Sequence, residues 1–123
     1  KNILMNRVRQ PFNVNHFAQV AAIESLKDNE FIEKSRAINN EGLKLISNAF
    51  KSLSIEYIPS YGNFISFKLQ DEKCAMMYYH HLLNNGVIVR PIANYGLPNF
   101  LRVSIGLESE NNSFIKYLSN CNI

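Results

Sequence analysis

Apolar residues recur between Asn13 and Lys27 at Val14, Phe17, Ala18, Ala21, Ala22 and Leu26, the repeat of a helix with one apolar face. Asn13 or Asn15 can cap its start. Asp28 or Asn29 then caps a second, longer helix that carries Ile38, Leu45, Ile46, Ala49 and Leu53 on one face, with Lys and Glu opposite. Ile55, Tyr57 and Ile58 form a short extended run, closed by a Pro59-Ser60-Tyr61-Gly62 turn. Phe64, Ile65, Phe67 and Leu69 predict a β-strand. A third helix is expected from Glu72 to Asn85, with Cys74, Met77, Tyr78 and Leu82 inward and Asn85-Gly86 as its stop. The continuous apolar run Val87-Ile88-Val89 predicts a strand covered on both faces and ended by Arg90-Pro91. After a loop from Ile92 to Asn99, Phe100 to Ile105 predicts another strand, closed by Gly106, and Ser109 can cap a final helix bearing Phe114, Ile115 and Leu118. The order ααββαββα predicts a small α+β fold, one sheet with helices packed on it.

At 123 residues, 46% apolar and 19% charged, the chain has the material for one compact domain. Its net charge of +3 is spread without a basic run, so no nucleic-acid or membrane partner is expected. Cys74 and Cys121 are too few and too far apart for a disulfide framework, which favours a reducing cytoplasm. No stretch approaches the ~18 apolar residues that a membrane helix needs, and the N-terminus lacks a signal-peptide pattern. Residue 1 is Lys and the first Met is Met5, inside the apolar Ile3-Leu4-Met5, so the chain is expected to have begun further upstream.

Arg90 and Arg102 stand out because each ends or interrupts an apolar strand. A guanidinium is costly beside a core unless it meets an anion, and its planar fork grips carboxylate or phosphate through two parallel hydrogen bonds. Two readings follow: both reach solvent or pair with local carboxylates such as Glu108, or together they form a two-anion site on neighbouring strands. His16, His80 and His81 lack the i, i+4 spacing of a helical metal site, so no metal is expected. Cys74 reads as a small core residue. The glycines are isolated, so a phosphate loop of the Gly-x-x-x-x-Gly-Lys type is absent.

Val8-Arg9-Gln10-Pro11-Phe12-Asn13-Val14-Asn15, followed by Ala21-Ala22, is the first of four ordered blocks and resembles the entry into the small domain of the histidinol-phosphate aminotransferases, a branch of the fold-type I pyridoxal-phosphate enzymes. Pro59-Ser60-Tyr61-Gly62-Asn63-Phe64 resembles the turn before its first long strand. Gly86-Val87-Ile88-Val89-Arg90-Pro91 resembles the strand that supplies a substrate-phosphate arginine, and Phe100-Leu101-Arg102-Val103-Ser104-Ile105-Gly106 with Glu110-Asn111 resembles the final strand and helix entry.

The resemblance implies that residues 1–12 link from a large cofactor domain and that 13–123 form the C-terminal small domain. It implies that Arg102 grips the carboxylate of glutamate or 2-oxoglutarate and that Arg90 holds the phosphate of histidinol phosphate. It also implies pyridoxal 5'-phosphate as the cofactor of a homodimeric full-length transaminase of histidine biosynthesis. The Schiff-base lysine of that family belongs to the large domain, and no residue here corresponds to it; Lys1 precedes the Arg9 block too closely. The chain alone is therefore expected to hold no cofactor, to contain no catalytic residue and to be inactive. Within the superfamily the alternatives are an aromatic-amino-acid aminotransferase or a threonine-phosphate decarboxylase. From another class, a stand-alone α+β ligand-binding module would also fit the elements.

Overall fold

The computed structural model describes residues 12–121. The expected link over 1–12 and the block Val8 to Pro11 therefore lie, but for Phe12, outside the described residues. The chain divides into two units, Lys1–Lys34 and Ser35–Ile123.

In the first unit, helix α1 spans His16–Ser25. Asn15 is its cap, accepting a 2.9 Å hydrogen bond from the Ala18 amide. The single apolar face expected for α1 is not borne out: Val20 and Ile23 place apolar side chains outside it, and none of the helix's residues is buried. Asp28 caps the next helix, α2 (Asn29–Ser52), by accepting from the Phe31 amide.

From Ser35 onward the order is the predicted one: the rest of α2, β1 (Tyr57–Ile58), β2 (Phe64–Lys68), α3 (Glu72–Asn84), β3 (Arg90–Pro91), a 3₁₀ turn (Ala93–Tyr95), β4 (Phe100–Ser104) and α4 (Glu108–Ser119). The strands form one antiparallel sheet in the order β1-β2-β4-β3. The result is α+β, with the helices on a single face of the sheet. Their buried side chains, Ile46 and Phe50 from α2, Ala75 and Leu82 from α3, Phe114 and Leu118 from α4, meet Ile65, Phe67, Leu101 and Val103 from the central strands. Phe50 is the hub. Its ring lies 5.0 Å from Phe67, 5.6 Å from Tyr57 and 6.1 Å from Phe114, centroid to centroid, within the range of offset and edge-on aromatic contacts.

The structure corrects several sequence expectations. Phe50, not Leu53, is the last inward residue of α2, and Leu53 is 37% exposed. Ala75 replaces Met77 on the inward face of α3, while Cys74 and Tyr78 are half-buried. Val87-Ile88-Val89 is not a strand covered on both sides; Val89 is buried and Ile88 is 80% exposed. The pairing begins instead at Arg90–Pro91, on the edge of the sheet, where a proline without an N–H is tolerated. Helix α4 starts before Ser109, because side chains downstream reach back to its entrance. The Glu110 carboxylate accepts from the Leu107 amide at 2.7 Å, and buried Asn111 bonds both the N–H and the C=O of Gly106 at 3.0 Å.

Two helices end in the same way. After α3, the Val87 amide donates to the Leu82 carbonyl and the Gly86 amide to that of Leu83, with Gly86 left-handed at φ +77°. After α2, the Ile55 amide donates to Phe50 and the Ser54 amide to Lys51, and here a serine takes the left-handed position, at φ 56°. The predicted Asn85-Gly86 stop is thus a Schellman closure, and α2 closes identically without a glycine.

Candidate functional site: paired arginines on the open sheet face

Strand alternation decides which side chains share a face. Leu101 and Val103 point from β4 into the core, so Phe100, Arg102 and Ser104 point to the other side. On β2 the core takes Ile65 and Phe67, leaving Phe64, Ser66 and Lys68 on the other side, where the small Ser66 is itself buried between its neighbours. The ladder registers then align one cross-strand row: Ile58 opposite Ser66, Ser66 opposite Arg102, and Arg102 opposite Arg90. Direct cross-strand partners have Cβ atoms ~4.5–5.5 Å apart on a common face. The two arginines proposed from sequence, 12 positions apart, are therefore neighbours.

Their surroundings distinguish them. The Arg102 guanidinium lies over the Phe64 ring, 4.8 Å from its centroid, and the residue is half-buried. Arg90 is exposed and makes no such contact. Neither guanidinium pairs with a carboxylate among the described residues. Glu108, the local partner considered from sequence, opens α4 and pairs with neither. Lys68, the third cation on this face, is neutralised by Glu56 at 2.8 Å. Two like charges directly opposite each other oppose strand pairing, and an anion between them would reverse that effect. What this arrangement can do chemically is bind an oxyanion through two forks.

Turn contacts set the position of Phe64. The Asn39 side-chain amide donates to the Gly62 carbonyl at 3.1 Å, and the Ile105 amide donates to the Asn63 carbonyl at 2.8 Å. Both bonds hold the chain immediately before Phe64. In sequence Phe64 is a strand residue and the last of the Pro59–Phe64 block, with no site role; the signal for more is its phase, an aromatic ring out of step with Ile65, Phe67 and Leu69.

Other features serve different ends. A cavity of about 650 Å³ opens between α2 and the start of α4, lined by Ile38, Glu41, Leu107, Glu108 and others, and neither arginine lines it. His81 bonds the Tyr117 carbonyl at 3.0 Å. Among the described residues, no group of three or more His, Cys, Asp or Glu could hold a metal, and no helix is long and apolar enough to cross a membrane. Burial raises the Cys121 thiol above its ordinary value, helped by nearby Cys74, and raises the Tyr78 phenol as well.

The sequence model described as aminotransferase class I and II matches residues 4–118. The chain belongs to this aminotransferase family. A histidinol-phosphate aminotransferase of Methylobacillus flagellatus is 52% identical over 115 residues, 94% of this chain and 30% of that protein. The crystal structure of the histidinol-phosphate aminotransferase from Clostridium acetobutylicum superposes with a TM-score of 0.77 at 27% identity, covering 94% of this chain and 36% of that one. The enzyme from Sinorhizobium meliloti, solved in complex with pyridoxal-5'-phosphate, shares the fold, with a TM-score of 0.78 at 19% identity over 96% of this chain and 33% of that one. The chain spans about 30% of the length of the curated relatives it matches.

Aminotransferases of this family use pyridoxal phosphate, and the described residues do not fit a site for it. Every lysine among them is exposed, on a helix, on a strand or, for Lys27, in the turn after α1, and none lines the cavity between α2 and α4 or the one beside Gly106. What the described residues offer is the paired guanidinium face.

Proposed function

We propose that this chain is the substrate-gripping part of a histidinol-phosphate aminotransferase, with 1–12 linking from a large cofactor domain and 13–123 forming the small domain. Arg102 takes a carboxylate of glutamate or 2-oxoglutarate, and Arg90 takes the phosphate of histidinol phosphate. The observation that carries the reading is the direct opposition of the two arginines on an open face without carboxylate partners. Relatives near 50% identity that bear the histidinol-phosphate name support that branch over aromatic-amino-acid aminotransferases and threonine-phosphate decarboxylases.

The chemistry of the two substrates gives the pair its purpose. Histidinol phosphate has a phosphate and no carboxylate, whereas glutamate has two carboxylates. One enzyme accepts both in turn when adjacent forks bind either kind of oxyanion. Pyridoxal phosphate, the reactive lysine and the homodimer contacts belong, in this proposal, to the large domain, and the enzyme works in the cytoplasm. The isolated chain binds anions and transfers no amino group.

The test is steady-state amino transfer by the complete aminotransferase carrying Arg90→Ala or Arg102→Ala. Losing a hydrogen bond to a charged group costs ~1.5–3 kcal/mol, about 10- to 100-fold in kcat/KM. Arg90→Ala should produce that loss with histidinol phosphate and far less with an aromatic amino acid. Equal losses on both would remove the phosphate role.

A further inference from the structure

We propose that Phe64 is a positioning residue that orders Arg102 for its anion, an inference that rests on the anion-site reading above. Arginine side chains are long and rotamer-rich, and one without a carboxylate partner ordinarily samples many conformations. Arg102 also faces the like charge of Arg90 across the ladder, which would drive the two guanidinium groups apart. The ring of Phe64, 4.8 Å from the guanidinium carbon, offers its electron-rich face to one side of the plane. Such a contact leaves the N–H edges of the fork, where an oxyanion binds, unoccupied.

The ring itself is held. Phe64 pairs with Ser104 in the β2–β4 register, and the two residues before it are pinned by Asn39 and by the Ile105 amide. Arg102 is thus a fixed anchor, and Arg90, exposed and without a ring, is an adaptable arm. This division suits a face that must accept a phosphate from one substrate and carboxylates from the other. Ordering before binding lowers the entropy lost when the ligand arrives.

The experiment titrates the 123-residue chain with inorganic phosphate while following the Nε–H resonances of its arginines by NMR. In the wild type, Arg102 should resonate upfield of Arg90 because of the ring beneath it, and both should shift on titration. Phe64→Leu should abolish the upfield displacement and weaken phosphate binding about three-fold, the order expected from losing one partly exposed cation–π contact. Phe64→Tyr, which keeps the ring, should restore both. Phe64→Met serves as a second ringless variant if the leucine protein does not fold. Wild-type phosphate affinity in a folded ringless variant would overturn the positioning role and leave the anion site standing. A wild-type chain whose two arginines ignore phosphate would overturn the anion-site reading and Phe64's role with it.

Discussion

Arg90 and Arg102 are Cα partners across the β3–β4 ladder, and no described carboxylate lies between them. Like charges opposite each other destabilise the pairing. Function and stability therefore conflict at this row. Arg90→Gln should raise the urea midpoint of the chain slightly while removing the stabilisation that phosphate gives the wild type through linkage. A lower midpoint, or a phosphate response that survives in Arg90→Gln, would contradict the account.

Asn111 closes the entrance to α4 by satisfying both backbone groups of Gly106. Its side chain also forms part of the wall against Gly42, where an added Cβ would meet Ile105 and the Asn111 amide. Asn111→Ala should cost ~1–3 kcal/mol by leaving part-buried backbone groups unpaired, and Gly42→Ala should destabilise by overpacking, ~1–3 kcal/mol. Urea unfolding of the two single variants checks both figures.

Ser54 sits left-handed in a closure that α3 makes with Gly86. A non-glycine residue in that region carries a steric cost of ~1–2 kcal/mol. Ser54→Gly should recover part of it and raise the unfolding temperature, since the closing hydrogen bonds are backbone to backbone. An unchanged or lower melting temperature would show that the serine is not strained.

Cys121 is buried, and its thiol is raised above the ordinary 9.0, first by burial and then by Cys74. The unfolded chain therefore gives up this proton at lower pH than the folded one. Stability from this group is complete below pH 9 and is lost as pH rises through the folded value. The Tyr78 phenol, raised by burial and by both cysteines, extends the same trend from its ordinary 10.0. Melting temperatures should fall above pH 9, and Cys121→Ala should flatten that fall once its lower starting stability is subtracted.

Phe50 joins Tyr57, Phe67 and Phe114 in one aromatic cluster. Phe50→Ala should cost ~3–5 kcal/mol, a large part of the 5–15 kcal/mol typical of a domain. Circular dichroism in urea should show it partly or wholly unfolded at room temperature; a midpoint near wild type would move the centre of the core elsewhere.

The sequence by itself determined the order of the elements, though it placed β3 at Val87–Val89 instead of Arg90–Pro91, because periodicity, caps and turns are local: Asn15, Asp28 and Gly86 act within a few residues of where they stand. It also singled out Arg90 and Arg102, since a cation at the edge of an apolar run is visible in one dimension. Only the tertiary structure decided what covers what. Apolar residues of α1 are not confined to the face their spacing suggests, Ile88 is exposed, and Phe50 displaces Leu53 as the inward residue, because burial depends on neighbours that periodicity does not name. The start of α4 shifted for a similar reason, as Glu110 and Asn111 reach back to a backbone that Ser109 was expected to cap. The site shows the same division. Two arginines became one candidate site, and Phe64 became part of it, only when the β2-β4-β3 register set residues far apart in the chain side by side.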